Sequence, residues 1–381
     1  MKILTIDIGT GTQDIFLYDS RLDLENGFKM IMPSPTMIVH NRIRKATQKR
    51  KNVVLSGSTM GGGPSAWAAE AHVRAGLTLY ATPDAALSFN DDLEKVKAIG
   101  IKIVGEEEVN QKGEDTIHIH MADFDSNVIL NAFRQFGVSL DDLDGLALAV
   151  FDHGASPLNV SDRRFRFDYL AEQIKKSPTL STFAFRTADI PTCMTRMKAI
   201  ASSAEAFGVP VIVMDTAPAA ILGASFDTKV KSRNEWVGAN IGNFHTLAFR
   251  FRDGVIEGLF EHHTGALTAD RLEGYLLALA SGLLTFDDIF EDEGHGALIY
   301  STEPCHFTPE QFNLFITGPR RSLLRESALR PYFAVPFGDM MISGCFGLLA
   351  AAGERMPQWN EQIRDSLINF KSSPPAPWDI D

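Results

Sequence analysis

Asp7-Ile-Gly-Thr-Gly-Thr-Gln-Asp14 is the stretch on which the reading of this chain turns. Lys2-Ile-Leu-Thr-Ile6 precedes it and Ile15-Phe-Leu-Tyr-Asp19 follows, both short, apolar and rich in β-forming residues. That setting predicts a strand, a tight glycine turn and a second strand. An acidic residue closing the first strand, amides freed by Gly9 and Gly11, and hydroxyls at Thr10 and Thr12 suit a metal-bound phosphate. Asp7 would hold Mg2+ directly or through water. The competing reading is a plain hairpin whose glycines supply only unusual φ angles, and the rest of the chain arbitrates.

At 381 residues the chain is long for one core, so two domains and an insertion are expected. Its formal charge of −12 argues against a nucleic-acid or anionic-membrane binder. No apolar run reaches the length of a membrane span, and the first residues lack the pattern of a signal peptide. Cys193, Cys305 and Cys345 are odd in number and far apart, which excludes a disulfide framework and an iron–sulfur cluster within the chain. A cytoplasmic protein is the expectation.

Beyond the opening hairpin, a basic run from Arg42 to Lys51 reads as a solvated helix face. Strand–loop–helix units follow, with a glycine-rich loop at Ser56-Gly-Ser-Thr-Met-Gly-Gly-Gly-Pro64 that either binds an anion or merely turns the chain. Residues 28–113 are read as an inserted α/β unit, with Thr116-Ile-His-Ile-His-Met121 returning as the third strand of the first domain. Gly145-Leu-Ala-Leu-Ala-Val-Phe151 and Val209-Pro-Val-Ile-Val-Met214 are continuous apolar strands of the kind buried on both faces. They end in Asp152-His-Gly154 and Asp215. Between them, Ser161-Asp-Arg-Arg-Phe-Arg166 reads as a loop leading into an irregular stretch. The second half repeats the order: strands at Trp236–Asn240, Leu247–Phe251 and Val255–Phe260, then a helix, a strand at Leu314–Thr317, another at Tyr332–Pro336, and a closing helix. A tail with Pro374, Pro375 and Pro377 is expected to be loose.

These residues resemble the superfamily of acetate and sugar kinases, heat-shock chaperones and actin. Its fold is α/β, built from two ribonuclease-H-like (actin-like ATPase) domains with ATP in the cleft between them. Five motifs stand in the family's order: Asp7-Ile-Gly-Thr-Gly-Thr12 as the first phosphate loop, Val213-Met-Asp-Thr-Ala-Pro-Ala-Ala-Ile-Leu-Gly223 as the first connecting helix, and Asn240-Ile-Gly-Asn-Phe-His-Thr246 as the second phosphate loop. Phe315-Ile-Thr-Gly-Pro-Arg-Arg321 follows as the adenosine motif and Ser343-Gly-Cys-Phe-Gly-Leu-Leu-Ala-Ala351 as the second connecting helix. Domains are accordingly expected at 1–228, carrying the insertion, and at 229–381. The chain departs from the pattern at Gln13 and Asp14, where sugar kinases carry a basic residue, at Asn240, where an Asp opens the second loop, and at Pro319, where a second glycine is usual. The branch it looks closest to is sometimes labelled as related to pyruvate formate-lyase activating enzymes. That chemistry needs a CxxxCxxC cluster, which this sequence lacks.

The resemblance implies ATP and Mg2+ as cofactors. Asp7 is the metal ligand, and Gly9, Thr10, Gly11, Thr12, Asn240, Gly242, Asn243, Thr246 and Gly318 contact the nucleotide. Asp215 and Asp152 position a nucleophile, with His153 beside the substrate. The implied activity is phosphate transfer to a small polar metabolite. The alternatives are an ATPase or nucleotide-dependent switch acting on a protein partner, and a degenerate ligand-binding member without catalysis. His153, His245, His262, His263 and His295 all fall in loops or strand ends that this topology aims toward the cleft. They form a transition-metal or acid–base site, or are ordinary hydrogen-bonded histidines; adjacent His262 and His263 point to opposite faces of a strand. Arg163, Arg164 and Arg166 suit a phosphorylated or carboxylate substrate, or surface salt bridges.

Overall fold

The structure is a computed structural model that describes residues 1–113, 115–157, 159–369 and 378; the proline-bearing tail lies outside them. Strands β1 (Lys2–Ile8), β2 (Thr12–Asp19) and β3 (Phe28–Pro33) open the chain. β4 (Asn52–Gly57), β5 (Leu79–Ala81), β6 (Lys102–Ile103) and β7 (Thr116–Met121) come next, then β8 (Gly145–Val150), β9 (Ala184–Arg186) and β10 (Val211–Asp215). The second half holds β11 (Glu235–Ile241), β12 (His245–Arg252), β13 (Val255–His263), β14 (Gly296–Ile299), β15 (Leu314–Thr317) and β16 (Tyr332–Phe333). One sheet has the order β3-β2-β1-β8-β10-β9 and another β14-β13-β12-β11-β15-β16. In both, an antiparallel meander of three strands continues into strands parallel to the first. This is the ribonuclease-H-like order twice over, so the fold is α/β with two such domains and an insertion in the first.

Two boundaries differ from the sequence reading. β3 is the third strand of the first sheet, pairing with β2, whereas Thr116–Met121 lies parallel to β4 in a separate sheet of order β6-β5-β4-β7. The inserted unit therefore runs from the helix Pro35–Gln48 to β7, not from 28 to 113. Alternation alone says that a segment is a strand and not which sheet it joins, and Pro33 is tolerated because β3 is an edge. The second domain also does not simply run to the end. The helices Ser343–Arg355 and Pro357–Ile368 lie on the first domain's sheet, where Phe346, Leu349, Trp359 and Ile363 cover Ile3, Phe16, Ala147 and Ile212. Every residue from Ser343 to Gly353 is buried. A helix apolar on all sides needs partners on all sides, and here the sheet is one and the helix Thr216–Ala224 the other.

Those two helices meet backbone to backbone. A Cβ on Gly223 would overlap the carbonyl oxygen of Ser343, and one on Gly347 would overlap that of Ala219. On the opposite face of the first sheet, Leu4, Ile6, Ile8, Leu146 and Leu148 pack against Phe133, Phe167, Leu170 and Ile200. Phe167 and Leu170 belong to a 15-residue helix, Asp162–Lys176, where sequence had suggested a loop. Its buried positions are Arg166, Phe167, Tyr169, Leu170, Gln173 and Ile174. With an arginine and a glutamine in the core stripe, the apolar count has no helical period to find. No helix among the described residues is long and apolar enough to cross a membrane.

Candidate nucleotide cleft and adjoining cavity

The β1–β2 and β11–β12 hairpins turn in the same way. Gly9 N–H donates to the Thr12 carbonyl at 2.9 Å, and Gly242 N–H to the His245 carbonyl at 2.9 Å. The two turns face each other, and a Cβ on Gly11 would overlap the Asn243 side-chain amide. Around them, all five sequence motifs contribute to one pocket: Asp7, Gly9, Thr10 and Thr12; Thr216 and Ala217; Asn240, Gly242 and Asn243; Thr317 and Gly318; Ser343 and Gly344. Its volume is about 100 Å3, below the ~300–1,000 Å3 common for ligand sites. The facing turns leave little space between the two domains. Thr246 is a correction to the expected set: its buried hydroxyl is bonded to that of Thr264 at 2.9 Å and faces away from the pocket.

Two carboxylates, Asp7 and Asp14, line the pocket, and neither is paired with an arginine or lysine among the described residues. Asp7 accepts a hydrogen bond from the Thr216 hydroxyl, and its other oxygen lies against Gly344, where a Cβ would collide with it. Burial raises the Asp7 carboxyl to about 7 against the Thr216 bond, with the charge of Asp215 adding to the rise. Asp14, opposite Asp7 in the β1–β2 register, is raised to about 8, first by burial and then by the charge of Asp7. One Asp14 oxygen is buried without a hydrogen-bond partner. In the sequence Asp14 stands out only as a departure from the family pattern. The signal for it was the hairpin itself, since directly paired residues share a face. An orphaned carboxylate oxygen beside a second carboxylate and a glycine turn fits a divalent cation carrying phosphate.

These shifts fix a pH dependence. Both carboxyls titrate higher folded than the ordinary value near 3.8, so between those limits the native state holds more protons than the unfolded one. Stability then falls as pH rises. In melting curves without divalent cation, the protein should lose stability progressively from about pH 4 to about pH 8. Asp14→Asn should flatten that slope and raise the melting temperature at pH 8; an unchanged slope would remove Asp14 from the site.

The other expected carboxylates do not reach this pocket. Asp215 is wholly buried, paired with Arg166, and caps the helix Thr216–Ala224 through the Ala217 amide. Asp152 borders a neighbouring cavity, but its two oxygens accept from the Gly154 and Met197 amides at 2.8 and 2.9 Å. Arg166 also binds Glu261 of β13 at 3.0 Å, so one buried guanidinium joins carboxylates from both domains. Arg163 donates to the Phe290 and Gly294 carbonyls, and Arg164 lies over Phe286. The three arginines tie the domains together and do not line a substrate site.

A larger cavity of about 280 Å3 adjoins the pocket and shares Thr10, Phe151, Arg196, Phe244 and His245 with it. The inserted unit forms one wall through Thr59–Gly63 and Leu87–Asp91, and the first domain another through Asp152–Gly154. The glycine-rich loop thus faces a cavity. Arg196, inside a helix and without a sequence motif to mark it, is the only arginine or lysine among the described residues that borders either space. Asp123 holds it at 2.6 and 2.9 Å. Trp67 of the insertion packs on Phe244 of the second domain, ring centroids 5.9 Å apart, and Phe244 in turn lines the cavity.

Histidines gather where the two spaces meet. His153, His245 and His295 have ring nitrogens all within 4.8 Å of one another, and the His263 ring is 5.1 and 4.7 Å from those of His245 and His295. Burial pushes His153 down to about 3 and also lowers His245, His263 and His295, so the rings are neutral. His262 points the opposite way from His263, as strand alternation requires, and stacks on Tyr275.

The family model described as "Putative pyruvate format-lyase activating enzyme (DUF1786)" matches residues 60–323. No curated protein matches in sequence. Among solved structures, a putative N-acetylmannosamine kinase from Listeria monocytogenes is similar at 11% identity, over 91% of this chain and 97% of that one, with a TM-score of 0.34. The ethanolamine utilization protein EutJ from Carboxydothermus hydrogenoformans gives 11% identity, 91% and 89%, and 0.33. The activator of 2-hydroxyisocaproyl-CoA dehydratase from Clostridium difficile, solved with bound ADPNP, gives 9%, 98% and 100%, and 0.33. The fold assignment rests on the strand order described above, not on these scores.

Proposed function

The chain belongs to the DUF1786 family, and we propose that it is an ATP- and Mg2+-dependent phosphotransferase whose acceptor is a small polar metabolite. One observation carries this reading. The pocket built from the five nucleotide motifs and the larger cavity under the insertion share five lining residues, so donor and acceptor would meet across Thr10, Arg196 and His245. Asp7 and Asp14 would hold Mg2+. The turns at Gly9–Thr12 and Gly242–Asn243 would take the phosphates, with Asn240 and Gly318 alongside. The ion would neutralise phosphate charge; everything else falls to the chain's own groups. Arg196, fixed by Asp123, binds an anionic group of the acceptor. Asp152 shapes the Asp152–Gly154 turn and Asp215 holds Arg166, so both act from behind the cavity. Asp91 lines it, with a carboxyl raised by burial and by the charges of Asp162 and Asp152, and is the proposed acceptor of the metabolite's hydroxyl proton. His153 completes the wall.

The "activating enzyme" in the family's description finds no support in the cysteines, which are too far apart in sequence for a CxxxCxxC cluster. A second reading, an ATPase switch acting on a protein partner, draws on the Trp67–Phe244 contact, through which closure of the nucleotide cleft would be felt by the insertion. Thermal-shift titration separates these readings from a non-catalytic member. ATP with Mg2+ at 100 times its Kd should stabilise the protein by about 2.7 kcal/mol, and Asp7→Ala should lose the Mg2+-dependent part while still unfolding cooperatively. No shift at millimolar nucleotide counts against both. ADP release that waits for an added metabolite supports the kinase, and release without one the switch.

A further inference from the structure

We propose that His153, His245 and His295 form a binding site for a divalent transition-metal ion of the Zn2+ class, placed where the nucleotide pocket meets the larger cavity. His153 Nε2 and His295 Nε2 are 3.3 Å apart. Two nitrogens each about 2.0–2.1 Å from a tetrahedral ion stand about 3.3–3.4 Å apart, so the pair already has the spacing of ligands. The third ring brings its nitrogen within 4.8 Å of both. His245 Nε2 is buried and lacks a hydrogen-bond partner. Such a buried polar atom calls for a water or an ion to meet it.

The surroundings fit a metal centre. Glu261 Oε1 lies 3.5 Å from His295 Nδ1 and its other oxygen is held by Arg166. Neither Oε1 nor Nδ1 is hydrogen-bonded as the structure stands, and a small turn of the ring would let the carboxylate accept from Nδ1–H, the arrangement that supports zinc-bound histidine. Phe151 stacks on His245 with centroids 4.2 Å apart and fixes its plane. Three neutral imidazoles with no thiolate select zinc and its neighbours over Mg2+ or Ca2+, which prefer oxygen. The open coordination position faces the cavity that His153 and His245 line, so the ion would take an oxygen or nitrogen of whatever binds there. His153 lies three residues beyond β8 of the first domain and the other two histidines belong to the second. The ion would thus also fasten the domains together. None of this rests on the nucleotide reading.

The test uses the full chain, stripped with chelator and titrated with Co2+ as an optical probe, without nucleotide. One Co2+ per chain should bind with the visible absorption of a four-coordinate site, and Zn2+ should displace it. His153→Gln and His295→Gln should each weaken binding by more than the ~10–100-fold that losing a supporting group costs, whereas His118→Gln, on an exposed strand residue, should not. If a variant fails to fold, His245→Gln takes its place, and the wild-type spectrum needs no variant. Asp7→Ala should bind Co2+ as the parent does. The proposal is overturned if the folded parent binds no stoichiometric ion, if binding survives the histidine changes, or if Asp7→Ala abolishes it and so assigns the ion to the carboxylates.

Discussion

Gly347→Val is expected to lower the urea midpoint of unfolding steeply, by the equivalent of about 4 kcal/mol or more. Gly347 faces the Ala219 carbonyl and Gly223 faces Ser343, so at their crossing the two connecting helices meet main chain to main chain. A flexible side chain in the way could rotate aside; a carbonyl oxygen inside a helix cannot. The helices must separate, and the apolar contact of Phe346, Leu348 and Leu349 with the first sheet goes with them. Gly347→Ala should show a smaller loss of the same sign. Equal midpoints for the valine variant and the parent would mean that the crossing is looser than drawn.

Arg166→Leu is the second large effect. It removes a buried cation and strands Asp215 and Glu261, both fully buried, with no other arginine or lysine paired to them among the described residues. Breaking such a pair from one side costs about 3–5 kcal/mol. Glu261, already raised to about 7 chiefly by burial even with Arg166 beside it, should then take up a proton. The loss should accordingly be milder at pH 5 than at pH 8, since the neutral acid tolerates burial. Denaturation at both pH values checks it, and a pH-independent loss would contradict the charge argument. Because the arginine spans the domains, the variant should also lose single-transition unfolding.

What sequence could show here was local. The strand–turn–strand at Asp7–Asp14, the continuous apolar runs at 145–150 and 211–215, and the order of the second half all carry their own periodicity, and the observed elements follow them. What stayed hidden depended on pairing across distance. Thr116–Met121 alternates as well for one sheet as for another. The helix over Asp162–Lys176 disguises its stripe by burying Arg166, a position that makes sense only beside Asp215 and Glu261, 49 and 95 residues away. Asp14 read as a deviation because its meaning lies in its register with Asp7. The histidines were visible as a set, but only the fold brings three of them to one point.

Trp67 joins the insertion to the second domain, and its indole is 54% exposed while resting on Phe244. Trp236 and Trp359 are buried in the cores, 5% and 4% exposed. The protein therefore carries an intrinsic fluorophore on a boundary that would part if the proposed cleft opened. Its emission would follow that movement, against a background from the two interior indoles and from Trp378, which is 84% exposed. Opening and closing become a spectroscopic coordinate that can be followed on the millisecond scale, with no label attached.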